Sequence, residues 1–220
     1  MPICFDKVAS SYLFLEKALF GSSLQQMRCS HLSHIENSKK ILLVGEGCGF
    51  FLRRLLEVNQ EAMITVVEPS ERMVQQAKSR VPDHDRQRVF FCKAPLEEFL
   101  PQVQFNAACT CFLWDCFEEN RIKKLLPKVL DCLESGGFLI NVDFAETLSS
   151  EGSRFKISHF ILLRMLYGFF RFTTGIESTR VTEIKPMAES NGFYVMDSRN
   201  HEKLPILSEV FQRKNFERCP

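Results

Sequence analysis

Gly45, Gly47 and Gly49 alternate with other residues in the stretch ILLVGEGCGF (41–50), directly after a short apolar run. Glycines at this spacing let the backbone approach a ligand closely, and a helix opening just beyond them presents free N–H groups. A nucleotide-like ligand is the first chemistry such a stretch suggests. The dinucleotide fingerprint, however, places its third glycine one position later, as G-x-G-x-x-G. Phe50 occupies that position. A nicotinamide-dependent oxidoreductase is therefore disfavoured.

The elements around the loop follow from periodicity. From about residue 40 to 145, apolar strand-like runs alternate with helical patterns: 41–44, 63–67, 88–92, 105–113 and 138–144 read as strands. Ser70 is placed to cap the helix that follows the second run, with Glu71 in its first turn. Gly136 and Gly137 are expected to stop a long helix at about 118–133. Strands buried on both faces and separated by helices indicate a parallel sheet covered on two sides. Two further runs, 192–198 and 204–213, are too close for a parallel crossover, so they should pair antiparallel. The expected fold is α/β: a Rossmann-like, doubly wound, seven-stranded sheet of five parallel strands plus a C-terminal antiparallel pair. Residues 4–35 read as N-terminal helices and 151–180 as an apolar helical insert.

G-x-G-x-G between a first strand and a first helix resembles motif I of the class I S-adenosylmethionine (SAM) dependent methyltransferases. Other stretches resemble that family in the same order. VVEPS (66–70) resembles its second motif, which implies that Glu68 takes the ribose hydroxyls, with Pro69 beside it and Met73 packed on adenine. Cys92-Lys93-Ala94-Pro95 resembles the loop that cups the adenine edge, implying contacts from Ala94 and Pro95. FNAACTCFLWDCF (105–117) resembles the fourth motif, which passes under the sulfonium and includes Cys109. FDKVASSY (5–12) is similar to the start of the ubiquinone/menaquinone-type small-molecule methyltransferases, where Tyr12 would fold over the cofactor. The resemblance covers about residues 4 to 213. It implies one domain over 1–220: an N-terminal helical lid (4–35), a cofactor-binding core (40–145), a helical lid or substrate insert (151–180), and a C-terminal helix and strand pair (181–213).

The implied activity is methyl transfer from SAM, with S-adenosylhomocysteine (SAH) as product, to a small, apolar or aromatic acceptor by in-line displacement. Trp114 and Asp115 follow the fourth strand, where acceptors enter in this family. Trp114 is a candidate to stack on an acceptor and Asp115 to take its proton; the plainer reading is a core tryptophan and a helix N-cap. His159, Tyr167 and Arg171 in the insert are further substrate candidates. His31 and His34 read as surface residues without a role. Three departures stand against the pattern: Leu43 replaces the usual acidic residue two positions before the first glycine, although Glu46 lies inside the loop. Lys93 replaces an acidic residue in the adenine loop, and Leu13 follows Tyr12 in place of aspartate. They motivate an alternative, a catalytically degenerate methyltransferase-fold protein that binds a partner.

Bulk properties narrow the partners. Lys+Arg is 28 against Asp+Glu 27, so no net field favours nucleic acid or anionic membrane. Nine cysteines are scattered without C-x-x-C pairs or zinc-finger spacing, so no metal site is expected, and free thiols suit a reducing, cytoplasmic location. The longest apolar stretch, 159–172, is interrupted by Arg164 and Gly168 and is shorter than a span of roughly 20 residues. No stable membrane insertion is expected, and the chain is expected to be a monomer or homodimer.

Overall fold

A computed structural model describes residues 20–145 and 181–215. Tyr12, His159, Tyr167, Arg171, residues 4–19 of the proposed N-terminal lid and the whole 151–180 insert lie outside the described residues.

Within them the sheet has seven strands: β1 (Lys40–Val44), β2 (Met63–Val67), β3 (Val89–Cys92), β4 (Phe105–Cys111), β5 (Leu133–Phe144), β6 (Phe193–Asn200) and β7 (Ile206–Arg213). Their spatial order is β3-β2-β1-β4-β5-β7-β6. The first five pair in parallel. β7 runs antiparallel to both β5 and β6, so β7 alone is reversed and β6 runs with the first five. The chain leaves β1 toward β2 on one side and later toward β4 on the other. That reversal of strand order opens a crevice at the carboxyl end of β1, where ligands bind in open α/β sheets.

Helices cover the sheet because their apolar residues recur at helical spacing. α1 (Ser23–Arg28), a 3-10 turn (Leu32–His34) and α2 (Phe50–Val58) cover one face. There Leu24, Met27, Leu52 and Leu55 meet Ile41, Leu43, Ile64, Ile140 and Val210. α3 (Glu71–Arg80) packs beside α2, capped by Ser70, whose hydroxyl accepts the Met73 N–H at 3.2 Å. On the other face lie α4 (Glu119–Asp131) and α5 (Lys185–Ser190). Ile122, Leu125, Leu126, Val129 and Leu130 of α4 form a stripe against Leu42, Ala108, Leu139 and Phe211. Each such side chain contributes about 1.5–3 kcal/mol of burial.

Two expectations need correction. α4 ends at Asp131, well before Gly136 and Gly137, with the Cys132 N–H turning back to the Leu130 and Val129 carbonyls. The two glycines lie inside β5, where its register against β4 jumps from Phe105–Leu133 to Ala107–Phe138. His31 is fully buried rather than superficial.

Gly49 shows why the loop spacing matters to the fold itself. It begins α2 with φ +88°, and a Cβ there would lie 2.6 Å from the Ala77 Cα of α3. Backbone cannot move aside as a flexible side chain can. Gly49→Ala is therefore expected to cost about 2–4 kcal/mol in urea unfolding, from backbone strain and overpacking together.

Candidate functional site

The carboxyl ends of β1, β2 and β4 converge on the glycine loop. The Gly45 N–H donates to the Val67 carbonyl at 2.9 Å, tying the loop to β2. Glu68, the residue after β2, is buried, and its two carboxylate oxygens do different jobs. Oε2 accepts the Gly47 N–H at 3.0 Å, and Oε1 accepts the Ser70 N–H at 3.0 Å. A carboxylate offers roughly four acceptor positions, so these two bonds do not exhaust it. The Glu68 N–H in turn donates to the Cys92 carbonyl at 3.1 Å, fixing the start of the 92–95 loop beside it. Ala94 and Pro95 are partly buried there. Lys93 is held by Glu71, with Nζ 2.7 Å from Oε2, at the opening turn of α3.

The three glycines divide their work. A Cβ on Gly45 would strike the Leu113 Cδ1 at 2.8 Å, and Gly49 serves the α2–α3 contact already described. Gly47 is the open one: with φ +66°, a Cβ there would meet only the Met73 Sδ, at 3.6 Å. Space at Gly47, a buried carboxylate touching its N–H and the Met73 side chain alongside form a cradle that suits an adenosyl ligand. Glu68 can take a vicinal diol and Gly47 leaves room for the ligand's backbone-side approach.

Glu46 and Leu43 explain each other's positions. Leu43 is in the core, matched in register with Val66 and Cys109. Glu46 turns to α2, where Oε1 accepts the Leu52 N–H at 2.9 Å and so caps a helix whose preceding residue is a glycine without a side chain. Burial pushes Glu46 up to about 7, helped by the nearby Glu68 charge and opposed by the Leu52 N–H and Arg28.

The end of β4 lies next to this cradle. Cys109 is buried at 2% exposure inside the core, opposite Leu43 and Ile140, and is not at the strand's open end. Residues 111–113 hold that end. Phe112 carries φ +54°, an outlying conformation for a bulky side chain, and donates its N–H to the Val142 carbonyl at 2.7 Å. Its ring lies 5.1 Å from the Phe144 ring, and the Arg28 guanidinium stacks over it at 5.0 Å. Sequence reasoning missed Phe112, Phe144 and Arg28, because nothing local marks a phenylalanine that adopts a left-handed backbone.

Trp114 is fully buried on the α4 face, and its indole N–H donates to Thr110 Oγ1 at 3.2 Å. It offers no face to an acceptor and is a core residue. Asp115 is not the cap of α4, whose N-cap is Glu118. It lies partly buried in a 3-10 turn, beside the buried Asp143. Asp143 Oδ2 accepts the Trp114 and Asp115 N–H groups at 3.0 and 3.3 Å, fixing the loop after β4. Burial pushes both carboxyl groups up, and Asp115 raises Asp143 further. A polar cleft of about 200 Å³ extends along the other side of β5, lined by Asn141, Asp143, Thr182, Lys185 and Glu209.

With this geometry, comparison with known proteins is direct. A family model described as a methyltransferase domain matches residues 41–137. That segment is a little under half of the chain, and over it the chain is similar to methyltransferase domains. No curated protein sequence matches the chain. Among solved structures, the mitomycin 7-O-methyltransferase MmcR superposes with TM-score 0.69 at 12% identity, over 93% of this chain and 57% of that one. N-methyltransferase NodS from Bradyrhizobium japonicum gives 0.62 at 11% identity, over 87% of this chain and 97% of that one. Human N-acetylserotonin methyltransferase in complex with SAM gives 0.65 at 15%, over 94% and 57%. The chain thus spans just over half the length of two of these neighbours, and likeness at such identities shows the methyltransferase fold. No helix among the described residues is long and apolar enough to cross a membrane.

Glu46 gives the folded chain a measurable pH signature. Its carboxyl rises from an ordinary 4.5 to about 7 in the folded chain. Its contribution to stability is therefore present below about 4.5 and lost as pH rises through about 7. Glu46→Gln keeps an acceptor for Leu52 and removes the buried charge. The variant's stability relative to the parent should be about 1–2 kcal/mol more favourable at pH 8 than at pH 5, read by thermal or urea unfolding.

Proposed function

We propose that the chain binds SAM in the crevice at the carboxyl ends of β1, β2 and β4 and transfers its methyl group to a small, apolar or aromatic acceptor. The observation that carries this reading is the Glu68 carboxylate, buried and bonded to the Gly47 N–H at 3.0 Å. It supports a role for Glu68 in accepting the ribose hydroxyls, with Gly47 giving the ligand room and Pro69, Met73, Ala94 and Pro95 bordering the adenine. Two of the structural neighbours are named for small-molecule acceptors, mitomycin and N-acetylserotonin, which supports the substrate class. The partly buried pair Phe112 and Phe144 supports an apolar or aromatic one.

Bound SAM would supply an electrophilic methyl group on a good leaving group. The chain's part is then chiefly to orient the acceptor at near-attack distance, about 3 Å, and to exclude water. A base is needed only where the acceptor is protonated at working pH. Asp115, partly buried beside Asp143, is the residue we assign to that role; burial withdraws Trp114 from stacking on the acceptor. Tyr12, His159, Tyr167 and Arg171 remain proposed contacts from the segments at 4–35 and 151–180. A location in the cytoplasm is proposed on the scattered cysteines, and independence of nucleic acid on the balanced charge.

Calorimetric titration with SAM and SAH, with NADH as control, tests the assignment. The adenosyl ligands alone should bind, and Glu68→Ala should weaken both by about 1–3 kcal/mol while the variant still unfolds cooperatively. Unchanged affinity in Glu68→Ala would remove the ribose assignment. No binding of SAM or SAH would leave a methyltransferase-fold protein that serves a partner, and binding of NADH alone would restore the dinucleotide reading.

A further inference from the structure

We propose that His31, His34 and Asp197 form a binding site for one divalent cation of the zinc class, which ties the segment after α1 to the edge strand β6. The site is on the face of the sheet covered by α1 and α2, away from the glycine loop, and does not depend on the reading above.

The donor set begins with His31. Its Nε2 lies 3.2 Å from the Ser208 carbonyl oxygen. A carbonyl only accepts, so Nε2 carries the proton and Nδ1 of the neutral ring presents a lone pair. That Nδ1 is buried without a hydrogen-bond partner among the described residues, and it faces Asp197 Oδ2 at 3.3 Å. His34 Nε2 approaches the same oxygen at 3.5 Å. A lone pair facing a carboxylate at 3.3 Å calls for a cation between them. A metal ion satisfies all three donors. Zinc–ligand bonds of about 2.0–2.1 Å in a tetrahedron separate neighbouring donor atoms by roughly 3.3 Å, close to the 3.3 and 3.5 Å from Asp197 Oδ2 to the two histidine nitrogens. All three donor atoms lie within 4.8 Å of one another.

Two local features build the set. The 3-10 turn Leu32–His34 brings residues three apart onto one side, which aligns His31 with His34. In β6, the register shift between Val195 and Asp197 leaves Met196 as an extra residue and puts Asp197 opposite Val210. Val210 belongs to the core on the face where the histidines lie. Without that bulge Asp197 would point to the opposite face. The Ser208 carbonyl then acts as the outer partner that fixes the tautomer of a metal-binding imidazole. Arg199, about half exposed, lies 3.5 Å from Asp197 Oδ2 and is the cation a metal ion would displace. His34 and Asp197 are each partly exposed, which leaves an entry path and a fourth position for water.

The full chain, stripped with a chelator, would be titrated with Co²⁺ and Zn²⁺. The expected result is one cation per chain, with the visible bands of tetrahedral Co²⁺ and no thiolate charge-transfer band. Zn²⁺ should raise the melting temperature of the parent. Asp197→Asn and His34→Gln, both at partly exposed positions, should each weaken binding at least tenfold and abolish the thermal shift. Absence of binding, equal binding by both variants, or thiolate bands pointing to the cysteines would each overturn the proposal.

Discussion

The hydrogen bond between the Glu68 carboxylate and the Gly47 N–H joins the end of β2 to the loop after β1. Everything else at the carboxyl edge is arranged around it. Burying a carboxylate is costly unless backbone donors meet it. Gly47 and Ser70 supply those donors, and Ser70 also caps α3. The same residue thus orders the loop, sets the direction of a helix and carries a charge to the crevice. Replacing Glu68 would disturb all three at once.

Much of this was legible in the sequence. Strand number, pairing direction, the Ser70 cap and the convergence of the glycine loop with Glu68 followed from periodicity and from spacing that resembles one family. Parts that depend on long-range register were not. Cys109 lies in the stretch that resembles the motif under the sulfonium, yet it is buried in the core, and β4 continues to Cys111 with its open end at Phe112. Trp114 follows a strand as an acceptor-contacting residue would, but the Asp143 carboxylate pulls its backbone in and the indole turns to Thr110. The glycine pair at 136–137 looks like a helix stop and serves a register jump instead. In each case a partner distant in sequence decides, and no local pattern reports it.

The departures from the family pattern gain a physical account. A carboxylate at position 43 would lie among Val66 and Cys109 in the core, whereas leucine packs there. Glu46, inside the loop, caps α2. Lys93 is paired with Glu71 at the opening turn of α3. Neither change removes the cradle at Gly47. His31 shows the opposite lesson: a histidine with no local signature is fully buried because a bulge in β6, far along the chain, brings Asp197 to it.

A crystal structure of the full chain with SAH tests the central claim most directly. The account predicts both ribose hydroxyls within about 2.5–3.0 Å of the Glu68 carboxylate, with the Glu68–Gly47 bond intact. A nucleoside bound elsewhere, or a Glu68 side chain turned away from the loop to admit it, would contradict the account.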